Sequence, residues 1–208
     1  MSPTIRVDGL RPADRERIAH ILRATGVFRP DEIDVALELF DAGCGMRDAG
    51  GDEQPLEESS LPRGSSASRI PHPASRTPPS TDSDYLFLGA FTPEDELVGY
   101  ACYGPTPGTD RTYDLYWIAV DPAMHGTGIG TTLLTEVERR LTGQHARLLV
   151  VETSSRSDYA ATRAFYRRCG YTESARVREF YAPGDDRIIF TKRFHHSPAQ
   201  AGSIDRHE

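Results

Sequence analysis

The stretch Tyr113-Asp114-Leu115-Tyr116-Trp117-Ile118-Ala119-Val120-Asp121-Pro122-Ala123-Met124-His125-Gly126-Thr127-Gly128-Ile129-Gly130-Thr131-Thr132-Leu133-Leu134 decides the reading of this 208-residue chain. It begins as an apolar strand and passes through a short loop that becomes glycine-rich at His125-Gly126-Thr127-Gly128-Ile129-Gly130. A helix follows at once. Glycines at such a junction let a ligand approach the backbone, and the first helical N–H groups have no partner inside the helix. With the positive end of the helix dipole they form an anion site, most often for phosphate. The expected ligand is a phosphorylated small molecule.

The spacing sorts the phosphate-binding classes. A P-loop needs Lys and then Ser or Thr after its last glycine, whereas Gly130 is followed by Thr131 and Thr132. A dinucleotide fingerprint needs Gly-x-Gly-x-x-Gly directly after the strand and an acid roughly 20 residues further on. Here the pattern is Gly126-x-Gly128-x-Gly130, and Asp121 to His125 separate it from the strand. Glu152 ends the next strand as a ribose-binding acid would, so a nicotinamide-dependent oxidoreductase stays as a lesser alternative.

A third pattern, Gln or Arg then x-x-Gly-x-Gly or Ala, is that of the GCN5-related N-acetyltransferases (GNAT). The chain resembles that family through Val120-Asp121-Pro122, the glycine run Gly126 to Gly130 and the helix Thr131 to Leu141, with His125 where Gln or Arg is usual. A histidine there makes cofactor affinity sensitive to pH. A second signature follows the strand Arg147 to Glu152, in Tyr159-Ala160-Ala161-Thr162-Arg163-Ala164-Phe165-Tyr166-Arg167-Arg168-Cys169-Gly170-Tyr171. Ala161, Phe165 and Cys169 share one helical face, with Phe165 expected to be buried, and Gly170 stands where a left-handed cap is expected. The segment is similar to the family's Asn-x-x-Ala-x-x-Phe-Tyr-x-x-x-Gly-Phe helix, with Tyr159 and Thr162 in place of Asn and Ala.

The resemblance implies a mixed α/β fold (α+β), with a central, mostly antiparallel sheet of about six or seven strands flanked by helices. It implies acetyl-CoA as co-substrate and no metal. Cofactor contacts are expected from Ile118, Ala119, Val120, His125, Gly126, Thr127, Gly128, Ile129, Gly130, Thr131 and Tyr159. The reaction implied is acyl transfer to an amine. An alkyl amine with a pKa of about 10.4 is almost wholly protonated at neutral pH, so the site must remove a proton, stabilise an oxyanion and reprotonate a thiolate. Asp114 is the first expected base: strand alternation puts it on one face with Tyr116, Ile118 and Val120, and the glutamate base of the family's histone-modifying members falls at this place. Glu152 is the second, acting through water. Either acid could instead cap a strand end or pair with an arginine. Tyr166, beside Phe165 and at the edge of the core face, is the expected acid. In the family two strands splay at a bulge, and a backbone N–H near Ile118 to Val120 binds the acetyl carbonyl. Phe28 and Tyr181 are expected to line the acceptor site, with Asp185 and Asp186 near the same hairpin. The same residues also fit an acyl-CoA-binding or sensor module without chemistry.

Length and composition bound the rest. A chain of 208 residues suits one domain, here 1–194 with a polar tail at 195–208. Residues 45–83 turn to Gly-Gly, Ser-Ser, Pro-Pro and Ser-Arg pairs and lower the hydrophobic share to 38%, so a disordered insertion is expected there. Cys44, Cys102 and Cys169 are too scattered for a disulfide framework or a zinc site, which points to a reducing cytoplasm. No apolar run approaches the roughly 20 residues that span a bilayer, and Met1 to Arg6 lacks the apolar core of a signal peptide. A net charge of −7 argues against nucleic acid as partner and agrees with a cationic small-molecule amine. A homodimer is compatible with these features. Helices are expected from Ala13 to Ala24 and from Pro30 towards Gly43. Antiparallel strands are expected at 85–91, 97–103 and 113–120, with 146–152 parallel to the last, and 173–182 and 186–194 closing the sheet.

Overall fold

The computed structural model describes residues 4–45 and 85–195. Apart from Gly45 and His195, the expected insertion and the polar tail lie outside the described residues. Strand β1 (Arg6–Asp8) leads into helices α1 (Arg15–Thr25) and α2 (Pro30–Gly45). Strands β2 (Leu86–Phe91), β3 (Leu97–Pro105) and β4 (Thr112–Val120) precede helix α3 (Ile129–Gly143). Strand β5 (Leu148–Ser154), helix α4 (Ala160–Arg168) and strands β6 (Thr172–Ala182) and β7 (Asp185–Arg193) complete the order.

The seven strands form one sheet in the order β1-β2-β3-β4-β5-β7-β6. Every neighbouring pair is antiparallel except β4 and β5, which α3 connects by a crossover. Helices cover both faces, which explains why β2 and β3 read as nearly continuous apolar runs. On one face α1 sets Ile18, Ala19, Ile21 and Leu22, and α2 sets Ile33, Ala36, Leu37 and Phe40, against Phe87, Tyr100 and Trp117. On the other, Ile129, Leu133, Leu134, Val137 and Leu141 of α3 meet Leu88, Ala101, Leu115 and Val151. Leu133 is fully buried, so truncating it to Ala would cost about 2–5 kcal/mol. No described helix is long and apolar enough to cross a membrane.

Two irregularities position the site. Strands β4 and β5 pair only over Thr112–Leu115 and Leu148–Val151. Beyond that point β4 continues against β3 and β5 against β7, so the sheet opens into a cleft. The second irregularity is a bulge: Tyr103 opposes Leu115 and Cys102 opposes Trp117, which leaves Tyr116 as the extra residue on β4. It interrupts the alternation. Tyr113, Leu115, Ile118 and Val120 pack on the α3 side, whereas Tyr116, Trp117 and Ala119 pack on the α1–α2 side. The face expected to unite Asp114 with Ile118 and Val120 therefore does not exist, because the extra residue reverses the order between them.

Candidate active site

At the end of β4 the chain is tied down before it turns. Asp121 accepts the N–H of Ala123 at 2.9 Å and pairs with Arg17 of α1 at 2.7 Å. Gly126 (φ 77°) and Gly128 (φ 92°) then take left-handed conformations. A Cβ on either would meet no protein atom within 4 Å, so packing within the chain does not account for glycine there. Among the described residues, the N–H groups of Gly126, Gly128, Ile129, Gly130 and Thr131 have no backbone acceptor. They line a cavity of about 430 Å³ with Met124, His125, Thr162, Phe165 and Arg168. Nε2 of His125 lies 2.9 Å from the carbonyl oxygen of Val120. A carbonyl only accepts, so Nε2 carries the hydrogen and Nδ1 of the neutral ring has a lone pair. The ring offers a phosphate a second donor only when protonated. This bond also shows which edge of β4 faces the cleft: strand alternation turns the N–H groups of Ile118 and Val120 the same way, away from β3.

A second cavity of about 240 Å³ adjoins the first and shares Ile118, Val120, His125, Ala161 and Thr162 with it. It lies in the opening between β4 and β5. The expected residues Phe28, Ala119, Glu152, Tyr159, Tyr166 and Tyr181 all line it. Glu152 is held by an ion pair with Arg187, and both side chains are largely covered. Asp185, 8% exposed, accepts the hydroxyl of Ser154 at 2.5 Å and the N–H of Ser155 at 3.2 Å. Tyr159 and Arg156 both donate to the carbonyl of Val27 at 3.4 Å, tying the start of α4 to the α1–α2 connection. Burial, then the charge of Asp185, pushes the Tyr181 phenol up to about 12. Burial, and after it the charge of Glu32, likewise raises the Tyr159 phenol.

Helix α4 presents its aromatic pair in the reverse of the expected order. Tyr166, 4% exposed, is the core residue, with ring centroids 5.6 Å from Tyr171 and 5.8 Å from Phe190. Phe165 is only half-buried and lines the larger cavity beside Gly130. The helix is nine residues long and sits over the open end of the sheet, so the strands beneath it, not its own apolar spacing, choose the buried face. Burial raises the Tyr166 phenol well above the ordinary tyrosine range, and the ring still reaches the cavity wall.

The geometry does not bring Asp114 to either cavity. It stands opposite Gly104 and Val150, where the sheet is still closed, and accepts the hydroxyl of Thr106 at 2.7 Å. Six residues of strand, roughly 20 Å, separate it from Val120. Glu32, Arg156, Asp158 and Thr153 line the smaller cavity and Arg168 the larger one, and none of them follows from the sequence patterns. Asp31-Glu32 carries a visible signal only as acids suited to a helix start.

A family model described as the acetyltransferase (GNAT) family matches residues 56–171, more than half of the chain. The N-alpha-acetyltransferase RimI of Mycobacterium tuberculosis is 39% identical over 88 residues, 41% of this chain and 51% of that protein. The match thus spans about half the length of this curated relative. A solved GNAT-family structure from Desulfovibrio desulfuricans is 37% identical, covers 91% of this chain and 98% of its own, and superposes with a TM-score of 0.70. The PaiA N-acetyltransferase from Thermoplasma acidophilum, solved in complex with coenzyme A, shares the fold at 17% identity. That match covers 92% of this chain and 99% of that one, with a TM-score of 0.57.

Proposed function

The chain belongs to the GNAT acetyltransferase family, and on that premise we propose that it moves the acetyl group of acetyl-CoA to a primary amine of a small molecule or amino acid. The observation that carries this reading is the continuous cleft at the parting of β4 and β5. It joins a cradle of unpaired N–H groups to an aromatic, acid-lined cavity.

The N–H groups of Gly126, Gly128, Ile129, Gly130 and Thr131 would hold the pyrophosphate of acetyl-CoA, and the open edge of β4 would receive its pantetheine arm. The acetyl carbonyl accepts an N–H of Ile118 or Val120, which is worth roughly 3 kcal/mol of barrier as charge gathers on the oxygen. Phe28 and Tyr181 wall the amine. Glu152 draws the ammonium in and receives its proton through water; its pairing with Arg187 holds the carboxylate in place. The amine nitrogen then attacks the thioester carbon, the C–N bond forms and the C–S bond breaks. The departing thiolate takes the proton of Tyr166, and the second proton shed by the attacking nitrogen returns to the phenolate through water. A phenol raised by burial holds that proton through neutral pH, which is the state a donor requires.

Calorimetric titration with acetyl-CoA tests the first half of this reading. One-site micromolar binding, about −8 kcal/mol at 1 μM, is expected. Thiol release across a panel of amines tests the second half. A folded chain that binds no acetyl-CoA overturns the reading, and tight binding without thiol release from any amine makes the chain a non-catalytic acyl-CoA module.

A further inference from the structure

Acetyl-CoA carries a pyrophosphate and a phosphate monoester, the latter alone about −1.5 to −2 charges at pH 7. Against this the loop sets only dipoles: the N-terminus of α3 amounts to roughly half a positive charge. The imidazole of His125 is committed through Nε2 to the carbonyl of Val120. The chain as a whole is acidic, with a net charge of −7, so its general field repels the ligand. A full local cation is missing from the loop itself.

We propose that Arg168, at the end of α4, supplies that cation and pairs with the phosphates of the bound cofactor; this rests on the acetyl-CoA reading above. Arg168 is the one Arg or Lys among the residues that line the larger cavity, at the glycine loop, and that lining contains no carboxylate. It also lines the small adjoining cavity with Thr131, Phe165, Lys192 and Glu138, the last two paired with each other, so it stands where the two spaces meet. Its neighbours are occupied elsewhere. Arg167 pairs with Glu173 at 2.7 Å, Arg163 donates to the carbonyls of Ser154 and Arg156 at 2.7 and 2.8 Å, and Lys192 holds Glu138 at 2.7 Å. Among the described residues no carboxylate lies within ion-pair distance of Arg168, which is exposed. A planar guanidinium is suited to phosphate because it offers paired donors to two oxygens at once.

The test is calorimetric titration of the full chain with acetyl-CoA, at low and at physiological salt, for the wild type, Arg168→Gln and Arg167→Gln. Arg167 shares the helix-end position and the charge but lines neither cavity, so it controls for the general field. Arg168→Gln is expected to raise Kd roughly tenfold, as for loss of one charge-assisted contact at an exposed site, and to flatten the salt dependence. Arg167→Gln is expected to bind as the wild type does. If Arg168→Gln is poorly folded by near-ultraviolet circular dichroism, Arg168→Lys replaces it and is expected to lose affinity by a smaller factor. Unchanged binding by the Arg168 variants, or equal losses in the Arg167 and Arg168 variants, overturns the proposal while leaving the acetyl-CoA reading intact. A wild type that binds no acetyl-CoA removes both.

Discussion

Replacing Gly128 with Ala separates a ligand cradle from an ordinary tight turn. The residue sits at φ 92°, and a Cβ there would meet no protein atom within 4 Å. The cost to the fold is therefore conformational, about 1–2 kcal/mol for an L-residue in the left-handed region. For a chain of this size that lowers Tm by roughly 2–8 °C. The cost to binding is larger. If the loop relaxes towards negative φ, at least two of the converging N–H groups turn away, and each charge-assisted bond lost is worth about 1.5–3 kcal/mol. Kd for acetyl-CoA is then expected to rise by about a hundredfold or more. Thermal melts and calorimetry on the same preparation measure the two effects. Gly143→Ala, at the end of α3 and equally unobstructed, serves as the control and is expected to alter neither by much. A Gly128→Ala chain that loses the expected Tm yet binds acetyl-CoA within about threefold of the wild type would refute the cradle and leave a turn whose glycines serve only the backbone.

Tyr166→Phe is expected to keep the acetyl-CoA Kd and lower kcat about a hundredfold, the usual scale for a positioned proton donor; unchanged steady-state turnover would remove it from the mechanism. Asp114→Asn is expected to lose about 1 kcal/mol in urea unfolding, through its bond to Thr106, and to keep its activity. Glu152→Gln is expected to lose activity, and the opposite ranking of the two variants would restore Asp114 as the base. Alkaline unfolding supplies a pH test. Burial raises the phenols of Tyr100, Tyr103, Tyr166 and Tyr171, so the unfolded chain ionises first, near pH 10. Their contribution is complete below that pH and declines above it, by up to about 1.4 kcal/mol per pH unit for each phenol. The urea midpoint is expected to hold from about pH 8 to 9.5 and to fall steeply by about pH 11; a flat profile would contradict the burial of these rings.

The glycine loop and the strand before it were legible because their signal is local: a run of glycines, a helix start and an apolar alternation within about 20 residues. The parallel pairing of β4 with β5 followed from the helix between them, as did the antiparallel hairpins from their short turns. Asp114 was misplaced because the bulge at Tyr116 arises from how β3 and β4 accommodate each other, and alternation along one strand carries no mark of it. The exchange of Phe165 and Tyr166 has a related cause: both residues are apolar enough for the core, and the position of Tyr171 and Phe190 decides between them. Glu32 and Asp185 meet in one cavity although 153 positions separate them, and only the closed fold can bring such pairs together.

The early end of the β4–β5 ladder has a consequence for the energetics of the empty protein. Two halves of one sheet are zipped over four residue pairs and then run apart, so the seam is unfinished. The amides on the inner edge of Ile118 and Val120 wait for partners that no segment of the sheet supplies. A ligand laid along that edge would act as the missing rung. By mass action it would add about 2.7 kcal/mol to folding at a hundred times its Kd. Hydrogen exchange should register this directly, with the amides of Ile118 and Val120 turning from fast to slow when acetyl-CoA binds while those of Thr112–Leu115 remain slow throughout. In that sense a ligand so bound would complete the sheet that holds it.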